Sequence, residues 1–398
     1  MKKVALGEIC ILKTGKTPPT SEIKYFNGDV NWYTPGDLNG RKFLQKSSRT
    51  ITELAFEEKQ ASQFQENVLL LTTIGEIGKI GITTSLCSSN QQITALIPTN
   101  EVNVNFLYYA IKTIIPTLKE YANNAVVPIL NNSILSKIQI PLPPLHVQNR
   151  ISEILDLADL HRQKTKELLL KYDLLAQSLF IDMFGDPVAN PKNWEVKKLK
   201  ELSTHILSGN TPLGGEEVYI NEGITFFRSQ NVWKNRLVYD DVAYIDNETH
   251  SKMKKSSLKH KDILMTKTGR INTENSSLGR AALFLGENDS ANINGHVYLI
   301  RLLKNECHNF ILHILTTNSY RNHIRSVCVG GIDKRQLNKE HIEEFPIIYP
   351  PLSLQNQFAD RMQEIEKQKE LASRAAQKAE ELFGSLLQKA FSGELVPE

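Results

Sequence analysis

Cysteine is scarce in this chain, and none of it stands where metal or disulfide chemistry needs it. Cys10, Cys87, Cys307 and Cys328 form no Cys-x-x-Cys pair and have no histidine at zinc-ligand spacing. That excludes a zinc module of the usual kind, and free thiols in a reducing compartment are expected. Long apolar runs are missing as well. None approaches the ~18 residues of a membrane span, and Glu8 breaks the stretch that follows the N-terminal lysines, so neither a membrane helix nor a signal peptide is expected.

Catalytic motifs are equally thin. The segment "TTIGEIGKIG" invites a phosphate-loop reading, but Thr73 stands where the first glycine belongs and Ile80 where Ser or Thr should follow the lysine. Gly75, Gly78 and Gly81 are evenly spaced, unlike a dinucleotide-binding turn, and a tight turn between strands is the better account. Two Pro-Pro pairs resemble part of an amino-methyltransferase pocket, yet Leu142 and Tyr349 precede them where Asn or Asp is required. No nuclease-like set of acids with a lysine stands out, and the ten histidines form no ligand set. A non-catalytic chain is expected.

What is present is repetition. "PLPPLHVQNR" from Pro141 and "IYPPLSLQNQ" from Ile348 share Pro-Pro-Leu, two residues and Gln-Asn. "LGEICILKTGKTP" from Leu6 is echoed by "LKELSTHILSGNTP" from Leu199, "LLLTTIG" from Leu69 by "ILMTKTG" from Ile263, and "NFLYYAI" from Asn105 by "NFILHIL" from Asn309. The offset drifts from 194 to 207 and then holds at 207 after each Pro-Pro-Leu. Each unit is therefore a variable globular part followed by a tail of fixed length.

The tails read as helices. Val147, Ile151, Ile154, Ala158, Leu168, Tyr172, Leu175 and Leu179 step by three and four, with His161 and Thr165 completing a seam. Phe358, Met362, Ile365, Ala372, Ala376, Ala379, Leu382 and Leu386 repeat the pattern. Antiparallel pairing of the two tails as a coiled coil is expected, the alanines admitting close approach. Ser353 is a candidate N-cap. Gln148 and Gln355 have two open readings, as first-turn residues reaching back to open backbone N–H groups or as partner contacts. Leu157, Leu160, Leu174 and Ile181 lie off the seam and need cover from elsewhere.

Between the tails, short apolar runs broken by Gly, Ser and Asn predict strands at Val68–Leu71, Ile80–Ile82, Ile93–Ile97, Ile263–Met265, Ala281–Leu285 and Val297–Leu303. Short helices are predicted from Asn105 and Asn309. The fold class is α+β: two strand-rich globular domains, 1–142 and 187–349, and two long helical segments, 143–186 and 350–398. Net charge is +3 and +4 in the two globular parts and −2 in each helical segment. A polyanion would meet the globular parts, while a difference of a few charges per segment is equally read as noise, and charge alone does not choose between the two.

Candidate DNA contacts are Lys16, Arg41, Lys42, Lys46, Arg49, Lys79 and Gln91 in the first part. Those in the second are Arg228, Gln230, Asn231, Lys234, Arg236, Lys267, Arg270, Arg280, Lys334 and Arg335. Amides and guanidiniums in turns are the groups able to read base edges, and lysines suit phosphates. Ile151, Ile154, Leu168, Tyr172, Leu175, Phe358, Ile365, Leu382 and Leu386 are the candidate helix-pairing set.

Pro143-Pro144-Leu145 with Gln148, Pro350-Pro351-Leu352 with Gln355, and the helix ends "SLFIDMFG" and "SLLQKAFSGEL" together resemble the specificity subunit of type I restriction-modification systems over nearly the whole chain. The resemblance implies two target-recognition domains, each reading half of a bipartite, asymmetric sequence in double-stranded DNA, arranged by the paired helices about a pseudo-two-fold axis. It further implies two methylation subunits that use S-adenosylmethionine on adenine N6, and restriction subunits that use ATP and Mg. No cofactor would sit in this chain itself, and the location would be the prokaryotic cytoplasm. The competing readings are a methyltransferase or nuclease with its own active site, and a coiled-coil protein scaffold.

Overall fold

In the computed structural model, which describes residues 1–122, 127–271, 273 and 275–396, chain contacts divide into two units. Unit 1 joins Met1–Leu168 to Ala372–Glu398, and unit 2 is Leu169–Leu371. The last two residues of the expected segment 350–398 lie outside the described residues.

Unit 1 is built on a four-stranded antiparallel sheet in the order Cys10–Thr14, Ile93–Pro98, Leu69–Thr72, Ile80–Ile82. Three of these strands are β-branched or leucine runs almost wholly buried, as strands covered on both faces should be. The helix Val104–Glu120 covers one face, its Asn103 side chain accepting from the amides of Asn105 and Phe106 as an N-cap. A second sheet sets Phe26–Tyr33 between Arg49–Ile51 and Cys87–Ser89, with the last pairing parallel. The glycine-rich segment after Thr72 is a turn between two strands, as its spacing predicts. Gly78 has φ +97°, and a Cβ there would meet Ile115 at 2.7 Å.

Unit 2 repeats the plan. Its four-stranded sheet runs Ser203–Ser208, Val297–Leu302, Ile263–Thr266, Ala281–Leu283, and its three-stranded sheet runs Ala243–Ile245, Ile224–Phe227, Ala291–Ile293. Each unit also ties its ends with a two-stranded ribbon, Lys3–Ala5 with Gln139–Pro141 and Val196–Lys198 with Pro346–Ile348. The hairpin Val232–Trp233 with Arg236–Leu237 distinguishes unit 2. A small sheet of Thr268–Arg270, Lys334–Gln336 and Val329–Gly330 extends a pairing that unit 1 also makes, where Ile74 bridges Ile129 and the Leu130 amide donates to Thr73 O at 2.8 Å.

The tails are helices of 40 and 41 residues, Leu145–Phe184 and Leu352–Ser392, each ~60 Å long at 1.5 Å per residue. Pro351 immediately precedes the second, so Ser353 falls inside the helix and does not cap it. In unit 1, Val147, Ile151 and Leu155 of the first helix share one core with Phe383 and Ala390 of the second. Arg162 and Lys166 pair with Glu380 at 2.9 and 2.7 Å. In unit 2, Asp173 pairs with Lys369, and the Met183 sulfur lies 4.0 Å from Arg361 Nη1. The index rises on one helix as it falls on the other, which is antiparallel. Lys369 lies 207 residues after Arg162, and Glu380 lies 207 after Asp173, so both units carry the same ion pair.

The pairing seam follows a phase different from the one apolar spacing suggests. Ile151 and Phe358 are fully buried, and Ile154, Tyr172, Ile365 and Leu386 partly so. Leu168, Leu175 and Leu382 are 41%, 49% and 50% exposed, and His161 is exposed too. Thr165, Ala372, Ala376 and Ala379 are buried as the spacing predicts, while Ala176 and Phe383 are buried outside the expected seam. The reason is that polar residues hold inward positions. Gln148, Ser152 and Asp159 are buried in the first helix, and a hydrophobic pattern skips them.

Candidate nucleic-acid interface

The glutamines of the two Pro-Pro-Leu lines resolve first. Gln148 is fully buried. Its Nε2 donates to the carbonyls of Pro143 and Glu101 at 2.8 and 3.0 Å, and its Oε1 accepts from the Asn103 amide at 2.8 Å. It pins the start of the long helix to the cap of the domain helix. Gln355 is also buried and donates to Pro350 O at 2.8 Å. Its Oε1 has no hydrogen-bond partner among the described residues. Both side chains bond backbone, but chiefly by donating to carbonyls; only Gln148 also accepts a backbone N–H, that of Asn103.

In unit 1, Arg41 and Lys46 are exposed and make no ion pair among the described residues. Arg49 sets its guanidinium 5.5 Å from the Trp32 ring and 6.0 Å from Phe26, at the edge of a hollow of about 270 Å³ that Asn27, Ser48 and Thr50 also line. The side chain of Gln91 accepts from the Thr17 hydroxyl, and Lys16 donates to Lys59 O at 2.7 Å. Lys79 pairs with Glu76 at 2.8 Å. Lys42 leaves the candidate set. It is 8% exposed, bonded to Asp156, and 4.7 Å from the Tyr109 ring. Loss of solvation pulls its ammonium below the ordinary lysine range, against Asp156, which raises it. The Tyr109 hydroxyl donates to the same carboxylate at 2.6 Å, and burial followed by that bond holds the phenol well above its ordinary value.

In unit 2, Asn231 also leaves the set. It is 1% exposed, its Oδ1 accepts from the Arg228 amide, and its Nδ2 donates to the carbonyls of Val238 and Asp241. Arg228 is held by Asp241, at 2.8 Å to the carbonyl and 3.1 Å to the carboxylate. Gln230 is exposed, with Nε2 donating to the same carboxylate at 3.0 Å. The added hairpin gathers the next group. Trp233 is flanked by Arg280, whose guanidinium lies 3.8 Å from the ring, and by Arg236 at 5.9 Å. Lys234 at the turn is exposed along its length, yet burial around its ammonium, and next Arg321, pull it below the ordinary lysine range. Burial pulls Arg280 below the usual guanidinium range. The small sheet gathers the last group, with Arg270 opposite Lys334 and Gly269 opposite Arg335. Lys267 precedes it, its Nζ 5.6 Å from the Tyr298 ring.

Three features escape sequence reasoning. The Trp233 ring has the Arg280 and Arg236 guanidiniums within 3.8 and 5.9 Å. Arg321 donates to the carbonyls of Ser276 and Gly279, both at 3.3 Å. Ile332 stands 91% exposed at the tip of the small sheet. The only local signal for the last was an isoleucine directly after Gly-Gly between two short polar strands. Among the described residues, no group of three or more His, Cys, Asp or Glu could hold a metal ion, and no helix is long and apolar enough to cross a membrane.

A duplicated α/β unit in which each copy is followed by a long helix defines a class of tandem-repeat proteins. The comparisons give the family. The model of the type I restriction modification DNA specificity domain matches residues 1–170 and again 191–381, so the chain belongs to that family, with one match per repeat. The MjaIX specificity subunit of Methanocaldococcus jannaschii is 28% identical over 386 residues, covering 91% of this chain and 85% of that one. The HindI specificity subunit of Haemophilus influenzae is 24% identical over 208 residues, covering 52% and 40%. Among solved structures, the type I restriction-modification S subunit from M. genitalium superposes with a TM-score of 0.58 at 16% identity, covering 98% of this chain and 96% of that one. A chain from a study of type I complex assembly and conformational transition gives 0.60 at 16% identity, covering 99% and 98%. At such identities the structures speak to the fold.

Proposed function

We propose that this chain is the DNA sequence-recognition subunit of a type I restriction-modification complex. Its two recognition domains, residues 1–142 and 187–349, each read one half of a bipartite, asymmetric duplex target. The segments 143–186 and 350–398 are paired antiparallel spacers that set the half-sites apart about a pseudo-two-fold axis. Phosphate contacts from lysines and arginines supply salt-dependent affinity, and side chains in turns choose the bases. Arg41, Lys46 and Arg49 in the first domain, with Gln230, Lys234, Arg236, Arg270, Lys334 and Arg335 in the second, are the exposed or turn-borne groups suited to this work.

Chemistry comes from companions. Two methylation subunits, carrying S-adenosylmethionine, modify adenine N6, and restriction subunits carry ATP and Mg. The exposed leucines of the first long helix, Leu157 at 69%, Leu160 at 48% and Leu174 at 63%, with Ile181 at 48%, offer those subunits an apolar face. The complex works in the prokaryotic cytoplasm.

One observation carries the reading: the family's recognition domain occurs twice in one chain, each copy with the same strand order and its own long helix. The test is to reconstitute the chain with its methylation subunit and map N6-methyladenine in exposed DNA. The expected result is a two-part sequence, one half of which changes when residues 1–142 are exchanged for another family member's domain. Methylation at a single undivided sequence, or by this chain alone, would sink the proposal.

A further inference from the structure

The small sheet of unit 2 ends in a three-residue tip, Gly331–Asp333, between Val329–Gly330 and Lys334–Gln336. Ile332 stands at that tip 91% exposed, and Val329 beside it is 43% exposed. A bare isoleucine in water is unfavourable, and folding has not turned it inward. The tip is held open in this form. The Ile271 amide donates to Asp333 O at 3.0 Å, Arg270 pairs with Asp333 at 3.3 Å, and Arg335 Nε donates to Gly331 O at 3.4 Å. Gly330 has φ +135°, and a Cβ there would meet Lys334 O at 2.8 Å, so the turn depends on glycine.

Charge decides what this tip meets. Lys334 and Arg335 follow it and Arg270 lies opposite Lys334, and among the described residues its carboxylate, Asp333, is matched by Arg270. Leu213 is an instructive opposite. It is still more exposed, at 99%, but Glu216 and Glu217 follow it closely, and a polyanion would be repelled there. An apolar point within a cationic collar is the arrangement by which proteins push a side chain between stacked bases while basic groups hold the flanking phosphates. We infer that the 329–336 hairpin is a DNA-deforming wedge, with Ile332 inserted at a base step and Lys334 and Arg335 on the adjoining backbone. The inference rests on the recognition reading above. It adds that the second domain distorts its half-site as well as reading it.

The test uses the chain assembled with its methylation subunit and the duplex identified by methylation mapping, with 2-aminopurine placed step by step across the half-site. Ile332→Ala is expected to weaken binding about tenfold, a modest free-energy change, with the salt dependence unchanged. It should also remove a fluorescence rise confined to one step. Ile332→Val should keep that rise, and Leu213→Ala should alter neither property. Lys334→Gln should lower the salt slope by about one and keep the rise. Unaltered affinity and fluorescence in Ile332→Ala would overturn the inference, provided that variant melts like wild type. So would its failure to co-purify with the methylation subunit, which would assign the tip to protein docking. If the wild-type complex binds duplex without sequence preference, the recognition reading itself falls, and the wedge with it.

Discussion

The domain helices of the two units meet the long helices at equivalent positions and hold them by different chemistry. In both units an aromatic step comes first. Phe106 lies 5.3 Å from Phe391 and Phe310 lies 4.7 Å from Phe184, and Phe391 is the repeat-equivalent of Phe184. One turn further on the solutions part. Unit 1 places Tyr109 there, joined with Lys42 on the Asp156 carboxylate. Unit 2 places His313, packed 4.8 Å from Phe180 and 5.0 Å from Phe358. The residue equivalent to Asp156 is Gln363, so no carboxylate is offered at that place. A duplicated scaffold thus keeps its aromatic contact and lets the neighbouring one drift between an ion pair and an aromatic cluster. Both fill the gap, but they differ in what solvent conditions can disturb.

That contrast can be broken most forcefully at Phe358, which is fully buried against Phe180, Phe184, Phe310 and His313. Phe358→Ala is expected to destabilise unit 2 by ~3–5 kcal/mol, read as lost hydrogen-exchange protection in His308–Thr316 with Val104–Glu120 little changed. Unit 1 should respond asymmetrically. Asp156→Ala strands a buried ammonium and should cost ~2–4 kcal/mol, whereas Lys42→Met replaces it with an apolar chain of similar length and should cost under ~1. Equal losses from the two would refute the buried-pair account.

Acid should sharpen the difference. Burial, and next Lys234, lower the His313 imidazole from 6.5 to about 4. The unfolded chain therefore takes up a proton that the folded chain refuses, and this stabilisation, complete above pH 6.5, drains away as pH falls toward 4. The loss should reach ~2–3 kcal/mol in unit 2, and His313→Phe should abolish that part of the pH dependence in denaturant titrations. The pins differ more gently. Gln148→Ala should cost ~2 kcal/mol and Gln355→Ala ~1, because the second makes one of the bonds that the first makes three of. Smallest of all, Cys307 stands where Asn103 caps the equivalent helix and offers no cap. Cys307→Asn should stabilise unit 2 by ~1 kcal/mol in thermal melts.

Much of this architecture could be read in advance, for reasons visible in particular residues. The buried strands announced themselves as short runs such as Leu69–Thr72 and Val297–Leu302, and the long helices as tails free of proline and interior glycine until Gly384. The seam was misphased because Gln148, Ser152 and Asp159 point inward, and inward polar residues are invisible to a hydrophobic period. Lys42 looked like a surface lysine because its partner lies 114 residues away. Asn231 resembled a base-reading amide, yet serves as the staple of its own turn. The exposed candidates were legible as chemistry alone. Which of them share a surface depended on a hairpin and a small sheet whose strands are only two or three residues long, too short to leave a periodic mark.

Unit 1 borrows Phe383, Ala390 and Phe391 from the far end of the polypeptide to complete its core. During synthesis, everything needed for unit 2 has emerged once Leu371 leaves the ribosome, while the N-terminal unit still waits with an open flank. The half translated first is thus the half sealed last. A ribosome that stops early, or a protease that trims the C-terminal helix, would leave its damage at the beginning of the chain.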